Sequence, residues 1–449
     1  MSETITKILK FISDNHLFSG ISHVLCAVSG GADSMALLHI LSSNMSLFGL
    51  KTVSAFHLNH NIRGLEADSD EEYVGQFCLS HSIPFYSYKL NTEETNNANE
   101  ESLRELRYHY LDVYCKYIGA DCIVTGHTLS DQAETFLLNL GRGTGLKGLS
   151  GIPSKRDNII RPLLCISRDE TEKYCEENNI VYRIDSTNNE DLYKRNYIRH
   201  HIVPELDSLF GNIEEKLNNT AIAADEADSY IRKLAYCALD KCKNGVTSLN
   251  ALQLLNEDTV LQKYVLMLFL AENGIPYDYA DISNLIYILN NSGRLQLKKG
   301  FIAQQYNKEL YIYKSDDILS IDSKRVNLGI NLFSNRKSIK VSLEDLSDVN
   351  KRYNNYSFFE LIDYDKIIGD LIIRQWVSGD NFSSYKRNNT KSLKKLFNEK
   401  KLFPNEKYEQ IVLSDDTGIV WLEGEGVSSY KAITDSTKKV LVINVITEE

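Results

Sequence analysis

Apolar and polar residues alternate in two different rhythms along the first 210 residues. Short apolar runs typical of buried strands are each followed by a segment whose apolar residues recur at helical spacing. The strand-like runs are VLCAV (24–28), TVSAFHL (52–58), PFYSYKL (84–90) and DCIVTG (121–126). The helical segments start at Ser34 and extend over about 68–82, 100–118 and 131–140. This order predicts an α/β domain with a Rossmann-like parallel sheet and helices on both of its faces.

The rest of the sequence changes character twice. It is typical of helices from about 212 to 291, of short strands up to about 314, and of mixed strands and helix from 340 onward. The polar stretch between the last two parts is typical of a linker. We therefore expect an α/β domain at 1–210, a mainly helical middle domain at 211–315, a linker at 316–339 and a small mixed α/β domain at 340–449. A length of 449 residues suits this division.

Composition narrows the class of protein. A net charge of −11 and a pI of about 5.5 argue against a surface coated with nucleic acid, although a local basic patch stays open. Eight cysteines without a C-x-x-C pair indicate reduced thiols rather than a zinc or iron–sulfur site. No apolar run approaches the roughly 18–20 residues of a membrane span, and the N-terminal ITKILKFI contains lysines. We expect a soluble, cytoplasmic protein.

A glycine turn, SGGADS, joins the first predicted strand to its helix. Gly30 and Gly31 let the backbone approach an anion, and the amides that open the helix point at it. Asp33 repels a phosphate unless Mg²⁺ bridges the two. The turn has no lysine, so it is not a Walker A loop. The absence of a lysine suits cleavage between the α and β phosphates of ATP, with pyrophosphate held in the loop. The alternative interpretation of SGGADS is a structural Gly-Gly turn.

Polar side chains follow other predicted strands as well. His57, Asn59, His60 and Arg63 follow the second strand, and His127 follows the fourth. Since ligands bind at the carboxyl ends of parallel strands, these are candidate site residues, with a structural capping role as the alternative for a single histidine.

Acidic residues on one predicted helix, and basic residues on helices and in the segments between them, complete the candidate site. Asp131 and Glu134 are three residues apart, so they share a helix face and can hold Mg²⁺. The basic and amide candidates for binding carboxylate or phosphate are Arg104, Arg107, Arg142, Arg161, Arg195, Asn196 and Arg199. For the helix that carries Arg104 and Arg107, a solvated, salt-bridged surface is the alternative.

A basic patch lies near the C-terminus. The segment KRNNTKSLKKLFNEKK (386–401) carries seven basic residues and one glutamate, a local charge of +6. Lys391, Lys394 and Lys395 are its candidates for contacting phosphates, although an ordinary solvated face remains the alternative. Leu393, Leu396 and Phe397 have helical spacing and predict a buried stripe.

The glycine turn resembles the signature of the PP-loop ATP pyrophosphatases. In order along the chain, SGGADS, HLNHNIRG, the run from GH through SDQAET to RGTGLKGLSG, RPLL…SR and DSTN…YKRN resemble the tRNA(Ile)-lysidine synthetases, a family of bacterial PP-loop enzymes. The segments IRQWVSGDNF, KSLKKLFNEKKLFP and IVWLEGEGV resemble the last domain of that family. This ordered set is more specific than the loop alone.

The resemblance implies a reaction. ATP adenylates the carbon-2 carbonyl oxygen of the wobble cytidine of tRNA(Ile) with a CAU anticodon, and pyrophosphate leaves. The ε-amine of free L-lysine then attacks carbon 2 and displaces AMP. The product, lysidine, changes codon specificity from AUG to AUA and charging identity from Met to Ile. The enzyme would be a carbon–nitrogen ligase that uses ATP and Mg²⁺ and has no prosthetic group, and family analogy suggests a homodimer.

The resemblance also assigns roles. ATP would be bound by Ser29, Gly30, Gly31, Ala32, Asp33, Ser34, His57, Asn59 and His127. Asp33, Asp131 and Glu134 would be catalytic, with Asp33 and Asp131 on Mg²⁺. Substrate or tRNA would contact Arg63, Arg104, Arg107, Arg142, Arg161, Arg195, Asn196, Arg199, Lys391, Lys394 and Lys395. The domain at 1–210 would be catalytic, and those at 211–315 and 340–449 would bind tRNA.

Two departures and three alternatives accompany this interpretation. Many members of the family read GHH and DDQAET where this chain has Thr128 and Ser130, and the tail is less basic than expected. The alternatives are a tRNA 2-thiolation enzyme, a PP-loop amidotransferase ligase, and a non-enzymatic tRNA-binding paralogue. The lack of C-x-x-C pairs argues against the first. The lack of a convincing glutaminase nucleophile argues against the second, and the retained Asp33, Ser34, Asp131 and Glu134 against the third.

Overall fold

The structure is a computed structural model that divides into two compact units, residues 1–230 and residues 231–449. It describes residues 2–61, 64–91, 100–183, 194–314, 321, 323–333, 337–352, 360–385, 389–400, 402 and 404–447. None of the helices formed by these residues is long and apolar enough to cross a membrane.

A six-stranded sheet forms the centre of the first unit. Its strands are β1 (His23–Ala27), β2 (Thr52–Asn59), β3 (Phe85–Lys89), β4 (Cys122–Thr125), β5 (Lys155–Arg156) and β6 (Ile159–Ile160). They lie in the order β3-β2-β1-β4-β6-β5, and every pairing is parallel except that of β5 with β6. The predicted parallel sheet is therefore confirmed, with a short antiparallel edge strand.

Helices cover both faces of this sheet. They are α1 (Glu3–Asp14), α2 (Ala32–Ser43), α3 (Leu65–Ser80), α4 (Glu100–Tyr117), α5 (Leu129–Gly141), α6 (Leu146–Leu149), α7 (Arg168–Glu177), α8 (Lys194–Tyr197), a π-helical turn (Ile198–Ile202), α9 (Val203–Phe210) and α10 (Ile213–Cys242), which continues into the second unit. Alternate residues of β1 belong to different hydrophobic cores. Val24 and Cys26 pack with α2, whereas Leu25 packs with Phe56 of β2 and Leu111 of α4.

The starts of α2 and α5 lie at the carboxyl ends of the neighbouring strands β1 and β4. Each helix starts two residues before the predicted position, since its N-cap residue, Gly31 or Thr128, lies earlier in the chain. Gly126 separates β4 from α5, and a Cβ atom there would lie 3.0 Å from the carbonyl carbon and oxygen of Asp33. The two strand ends are thus in direct backbone contact at the predicted site.

The first part of the second unit packs helices on a small antiparallel sheet. Its helices after α10 are α11 (Ala251–Leu255), α12 (Thr259–Glu272) and α13 (Tyr279–Asn291). Its strands are β7 (Ser248–Asn250), β8 (Gly293–Gln296), β9 (Phe301–Tyr306) and β10 (Glu309–Lys314), in the order β7-β10-β9-β8, with a 3₁₀ turn at Lys298–Gly300. Fully buried residues such as Phe269, Leu285 and Leu310 join the layers into one core.

The C-terminal part consists of three antiparallel sheets and short helices. The strands are β11 (Lys324–Arg325), β12 (Gly329–Leu332), β13 (Lys337–Asp345), β14 (Glu360–Asp363), β15 (Ile372–Arg374), β16 (Asn381–Ser384), β17 (Asn389–Ser392), β18 (Val412–Asp415), β19 (Gly418–Leu422), β20 (Gly426–Val427) and β21 (Lys439–Thr447). The helices are α14 (Leu346–Arg352), α15 (Leu393–Glu399) and α16 (Pro404–Tyr408), with a 3₁₀ turn at Tyr364–Lys366. The sheet orders are β11-β15-β18-β19-β20, β12-β13-β21-β14 and β16-β17.

The stretch expected to be a linker contributes to two of these sheets. Strand β11 pairs with β15, and β12 pairs with β13. Asn331 of β12 is buried, and its amide donates to the carbonyls of Asn327 and Gly329. A polar side chain inside a short strand, satisfied by its own turn, explains why hydrophobic patterning missed these strands.

Two sequence features that concern buried side chains behave as predicted. Leu393, Leu396 and Phe397 of α15 are each at most 3% exposed and form the expected buried stripe. All eight cysteines are unpaired thiols, and six of them are buried.

A buried ion pair in the C-terminal part yields a stability prediction. The Lys431 ammonium lies 2.5 Å from the fully buried Asp415 carboxylate and donates to the carbonyl of Lys366 at 2.7 Å. Burial opposes ionisation of Asp415, but the hydrogen bonds from Lys431 and Thr417 lower its pKa to about 2. Replacing Lys431 with methionine should therefore cost about 3–5 kcal/mol, because a buried carboxylate loses its partner. Urea denaturation at pH 7 measures the loss.

The exposed Lys438→Met is the matched control and should be nearly neutral. In the wild type this contribution is present above the unfolded-state pKa of about 3.9 and disappears as the pH falls through about 2. Equal stability of the two methionine variants would contradict the assignment.

Candidate functional site

The glycine turn forms an anion cradle at the start of α2. Gly30 has a φ of +93°, a conformation that favours glycine, and Gly31 is the N-cap residue. The Ser34 hydroxyl donates to the Gly31 carbonyl at 2.9 Å and accepts from the Ser29 amide at 3.2 Å. These bonds hold the turn closed, and the amides at the helix start point outward with the positive end of the helix dipole.

Three carboxylates from two helices converge on one guanidinium. Arg168, at the start of α7, lies 3.3 Å from Asp33 of α2 and 3.3 Å from Asp131 of α5. Its third carboxylate is Glu134, at 3.6 Å. The Thr171 hydroxyl also donates to Asp33. The predicted acidic trio is therefore brought together, around an arginine that the sequence analysis did not select.

Glu134 is bound by two further arginines. Its side chain is only 2% exposed, and its oxygens lie 2.6 Å from Nε of Arg195 and 2.6 Å from Nε of Arg199. Arg195 lies on α8, and Arg199 lies in the π-helical turn that follows, where the Val203 amide donates to the Ile198 carbonyl. Such wide turns often occur at functional sites. Arg195 also reaches Asp131 at 3.0 Å.

Burial and neighbouring charge set the ionisation of this cluster. Burial raises the pKa of Asp33, against the opposing influence of Arg168 and Thr171. For Asp131 burial also acts upward, but the charges of Arg168 and Arg195 prevail and lower its pKa. The carboxylates in turn outweigh the cost of burial for Arg168 and Arg195 and raise their pKa values. Asp131 therefore remains an ionised acceptor at neutral pH.

A second cluster next to the acidic one is positively charged. Arg161 is 2% exposed; it donates to the Pro153 carbonyl at 2.8 Å, and its Nε has no hydrogen-bond partner among the described residues. The Arg104 guanidinium lies 5.2 Å from the ring centre of Tyr108, and that of Arg107 lies 5.7 Å away. The positive charges of Arg104, Arg107 and Arg161 lower the pKa of Tyr108 despite its burial. Burial lowers the pKa of Arg161, and Arg156 and Arg104 add to that effect.

His127 connects the two clusters. It follows β4, and its Nδ1 lies 2.9 Å from the Thr125 hydroxyl. Burial first, then the charges of Arg161, Arg104 and Arg107, lower its pKa to about 3, although Asp131 acts in the opposite direction. The imidazole is therefore neutral at physiological pH and can act as a hydrogen-bonding group but not as a fixed cation.

The polar side chains at the end of β2 are buried. His57 is 5% exposed and its Nδ1 lies 2.9 Å from the Val28 carbonyl, directly before the glycine turn. Asn59 is 1% exposed; its amide donates to Asp68 and Glu71 of α3 at 2.9 Å, and its oxygen accepts from the Asn61 amide. Both side chains support the strand end, so a direct role for them in ATP binding stays a prediction.

The other candidates are dispersed. Arg142 is the exposed C-cap residue of α5, and Asn196 lies on α8 between its two arginine neighbours. Arg63 lies outside the described residues. In the second unit, Lys391 pairs with Glu399 at 2.6 Å, whereas Lys394 and Lys395 are exposed on α15.

Sequence reasoning missed Arg168, Thr171 and Tyr108. Ser167 and Glu170 form a capping box at the start of α7, so the S-x-x-E pattern marks a helix start at Arg168. Three acids predicted at one sheet edge also require cations. Together these two signals identify Arg168.

Comparison with known proteins places the chain in a family. Residues 1–206 match the family model of a PP-loop domain. A curated tRNA(Ile)-lysidine synthase of Caldanaerobacter subterraneus subsp. tengcongensis is 31% identical over 98% of this chain and 97% of its own length. That of Clostridioides difficile is 30% identical over 98% of each chain. This chain belongs to the tRNA(Ile)-lysidine synthase family. The resemblance inferred from the ordered motifs is thereby confirmed, as is the PP-loop α/β fold.

Among solved structures, the chain is similar to the U34-tRNA thiolase NcsA from Methanococcus maripaludis. The identity is 20% and the TM-score 0.42, over 49% of this chain and 78% of that one.

The acidic cluster gives a prediction for Arg168→Met. Removing this guanidinium leaves Asp33 and Asp131 facing each other, and we expect a loss of about 3 kcal/mol in the free energy of unfolding at pH 7. Without the arginine the two carboxylates have pKa values above those of the unfolded chain, so the deficit should shrink as the pH falls from 7 to 5. Urea denaturation at a series of pH values measures both effects.

Lys173→Met is the matched control, since Lys173 is exposed on the same helix. A deficit in Arg168→Met that stays constant with pH would mean that lost packing, rather than charge, is responsible.

Proposed function

We propose that this chain ligates L-lysine to carbon 2 of the wobble cytidine in tRNA(Ile) with a CAU anticodon, and that it cleaves ATP to AMP and pyrophosphate in doing so. One observation carries the proposal beyond family membership. Asp33 of the phosphate-binding turn and the acidic pair Asp131 and Glu134 share a single guanidinium, that of Arg168. A site for ATP phosphates and a site for the lysine side chain, which is cationic until it loses a proton, are therefore adjacent.

The glycine turn would hold the β and γ phosphates during the first step. The cytidine carbonyl oxygen attacks the α phosphorus, the bond from that phosphorus to the bridging oxygen breaks, and the electron pair leaves with pyrophosphate. Backbone amides at the start of α2 can stabilise this leaving group without a lysine in the loop. Ser34 is committed to closing the turn, so the amides of the turn are the main donors.

The residues present fit a magnesium ion. Asp33 and Asp131, from two helices, would be the carboxylate ligands of the ion, which would replace the contacts that their oxygens now make with Arg168. Among the described residues no three acidic, histidine or cysteine side chains form a metal-binding group. This suits Mg²⁺, which usually takes one or two carboxylates and fills its other positions with water and phosphate oxygens. When bound, the ion would neutralise charge on the ATP phosphates.

The acidic pair would receive the lysine side chain. Asp131 is held ionised by two arginines, and it and Glu134 would accept hydrogen bonds from an ammonium group that replaces part of their contacts with the arginines. The ε-amine must lose protons as its nitrogen bonds to carbon 2, and a carboxylate within hydrogen-bond reach is a suitable acceptor. AMP leaves as the carbon–oxygen bond to the phosphate breaks.

The positive cluster around Tyr108 would bind an oxyanion. Arg161 is a buried cation whose Nε has no hydrogen-bond partner among the described residues, and a phosphate or carboxylate would satisfy it. Arg104 and Arg107 lie against the same ring and would contribute to the same ligand. The tRNA backbone and the lysine α-carboxylate both carry the required chemistry.

The remainder of the chain would bind tRNA. We assign catalysis to 1–210 and tRNA binding to 211–315 and 340–449, with 316–339 between them. The exposed lysines of α15 would contact phosphates while its apolar face stays in the core. A homodimer acting in the cytoplasm completes the proposal.

Lysine incorporation tests the proposed reaction. Purified protein is mixed with ATP, Mg²⁺, labelled lysine and an unmodified tRNA(Ile) transcript with a CAU anticodon; we expect label in one nucleoside, with AMP and pyrophosphate released. Glu134→Gln should reduce incorporation at least 100-fold, since a single well-placed catalytic group typically contributes that much. Glu176→Gln, an exposed position on α7, is the matched control.

A tRNA(Met) transcript provides the negative substrate. ATP turnover without lysine transfer would contradict the proposal and indicate another nucleophile, sulfur first. Binding of tRNA without any ATP turnover would favour a non-enzymatic paralogue.

The lysines of α15 give a second prediction. Replacing both Lys394 and Lys395 with alanine should weaken tRNA binding and reduce the salt dependence of log K by about 1.4–1.8, because two phosphate contacts are lost. Filter binding over a range of salt concentrations measures the slope. The exposed pair Lys438 and Lys439, replaced in the same way, is the matched control, and equal slopes for the two double variants would rule out the patch.

A further inference from the structure

The phosphate-binding turn has no lysine, and the arginines of the acidic cluster are already paired. Arg168 lies 3.3 Å from each of two carboxylates. Arg195 and Arg199 each lie 2.6 Å from Glu134. These positive charges are largely neutralised by the acidic cluster, so they offer little to a polyphosphate in the turn.

One further arginine lies directly against the turn. The Arg183 amide donates to the Gly30 carbonyl at 2.9 Å. A Cβ atom built on Gly30 would lie 3.8 Å from Cγ of Arg183, in ordinary van der Waals contact. The Arg183 side chain therefore leaves the backbone beside the residue whose positive φ shapes the anion cradle.

Helix α3 holds this segment in place. The Tyr73 hydroxyl donates to the Val181 carbonyl, and the Arg183 guanidinium lies 5.3 Å from the Tyr73 ring centre. Two hydrogen bonds fix the backbone of 181–183 along the turn: that from the Tyr73 hydroxyl to the Val181 carbonyl and that from the Arg183 amide to the Gly30 carbonyl. The position of the Arg183 Cα atom is thus set by contacts that do not involve the charge of its side chain.

The guanidinium itself is only loosely paired. It donates to the neutral hydroxyl of Ser69 at 3.1 Å, and its Nε lies 3.7 Å from Asp70. Its side chain is 47% exposed. An exposed ion pair at that separation contributes little, so a group with more negative charge can displace it.

We propose that Arg183 binds the β and γ phosphates of ATP, and pyrophosphate after the first step, in place of the lysine that the turn lacks. The inference rests on the proposed function for the identity of the nucleotide. A planar guanidinium can contact two phosphate oxygens at once, and its charge counters the negative charge that grows on pyrophosphate as the bond to the α phosphorus breaks. In the protein without nucleotide, Asp70 and Ser69 are the partners of the guanidinium.

Binding measurements on the full chain test this role without requiring turnover. Isothermal titration calorimetry with ATP, pyrophosphate and AMP, each with Mg²⁺, compares the wild type with Arg183→Ala. We expect the Kd values of ATP and pyrophosphate to rise roughly tenfold, the usual effect of one charge-assisted contact, and that of AMP to stay unchanged because it lacks both phosphates. Arg183→Lys should recover part of the affinity.

Two matched variants separate phosphate binding from support of the turn. Asp70→Asn removes the resting partner and should leave ATP affinity equal or higher. Tyr73→Phe removes the hydroxyl that anchors Val181 and keeps the charge of Arg183. If Asp70→Asn weakens ATP as much as Arg183→Ala does, or if Arg183→Ala weakens AMP and pyrophosphate equally, Arg183 is a structural residue and the inference is wrong. Unchanged affinity in Arg183→Ala would also overturn it.

The same proteins are assayed for lysine incorporation. A wild type that binds ATP and pyrophosphate but modifies no tRNA would refute the proposed function and leave the comparison of Arg183 variants intact. A wild type that incorporates lysine, with an Arg183→Ala variant that has wild-type ATP affinity, would refute only the inference.

Discussion

The site depends on one electrostatic constraint: three carboxylates can lie together because guanidinium groups lie among them, and Arg168 is the one that contacts all three. The starts of α2 and α5 bring Asp33 and Asp131 to neighbouring strand ends, where like charges a few ångströms apart would repel by several kcal/mol. Arg168 removes that repulsion, and much of its surroundings serves to place it. The capping box of Ser167 and Glu170 fixes the start of its helix, and its own backbone amide donates to the Ser130 hydroxyl at 3.0 Å. Ser130, one of the two departures from the family pattern, thus has a structural role.

Two charged clusters act on His127. In the first, Asp33, Asp131 and Glu134 are matched by three arginines, whereas the second, with Arg161 and Arg104, is positive. Such an arrangement suits substrates that carry both signs of charge, an amino acid and a polyphosphate. The chain as a whole is acidic, with a net charge of −11, so a polyanion would be attracted where basic groups are concentrated.

Hydrophobic periodicity was sufficient to predict the parallel sheet, because strands buried on both faces appear as short apolar runs between amphipathic helices. It also predicted the buried stripe of α15. It could not reveal ion pairs such as that of Asp33 with Arg168, which are 135 residues apart in the chain. The direction of a side chain is equally hidden, since His57 and Asn59, expected after the second strand, are the buried residues at its end. Strand β11 escaped because it consists of two charged residues, and β12 escaped because its apolar positions are interrupted by Asn331, whose hydrogen bonds are satisfied locally.

Gly126 has no functional group, yet it determines how close the two carboxylate-bearing helices can come. The gap between β4 and the Asp33 backbone is already filled by the glycine itself, and even the methyl group of alanine would push against main-chain atoms that cannot rotate away. A side chain at position 126 would therefore require the start of α2 to shift by a few tenths of an ångström, and that shift would move Asp33 relative to Asp131.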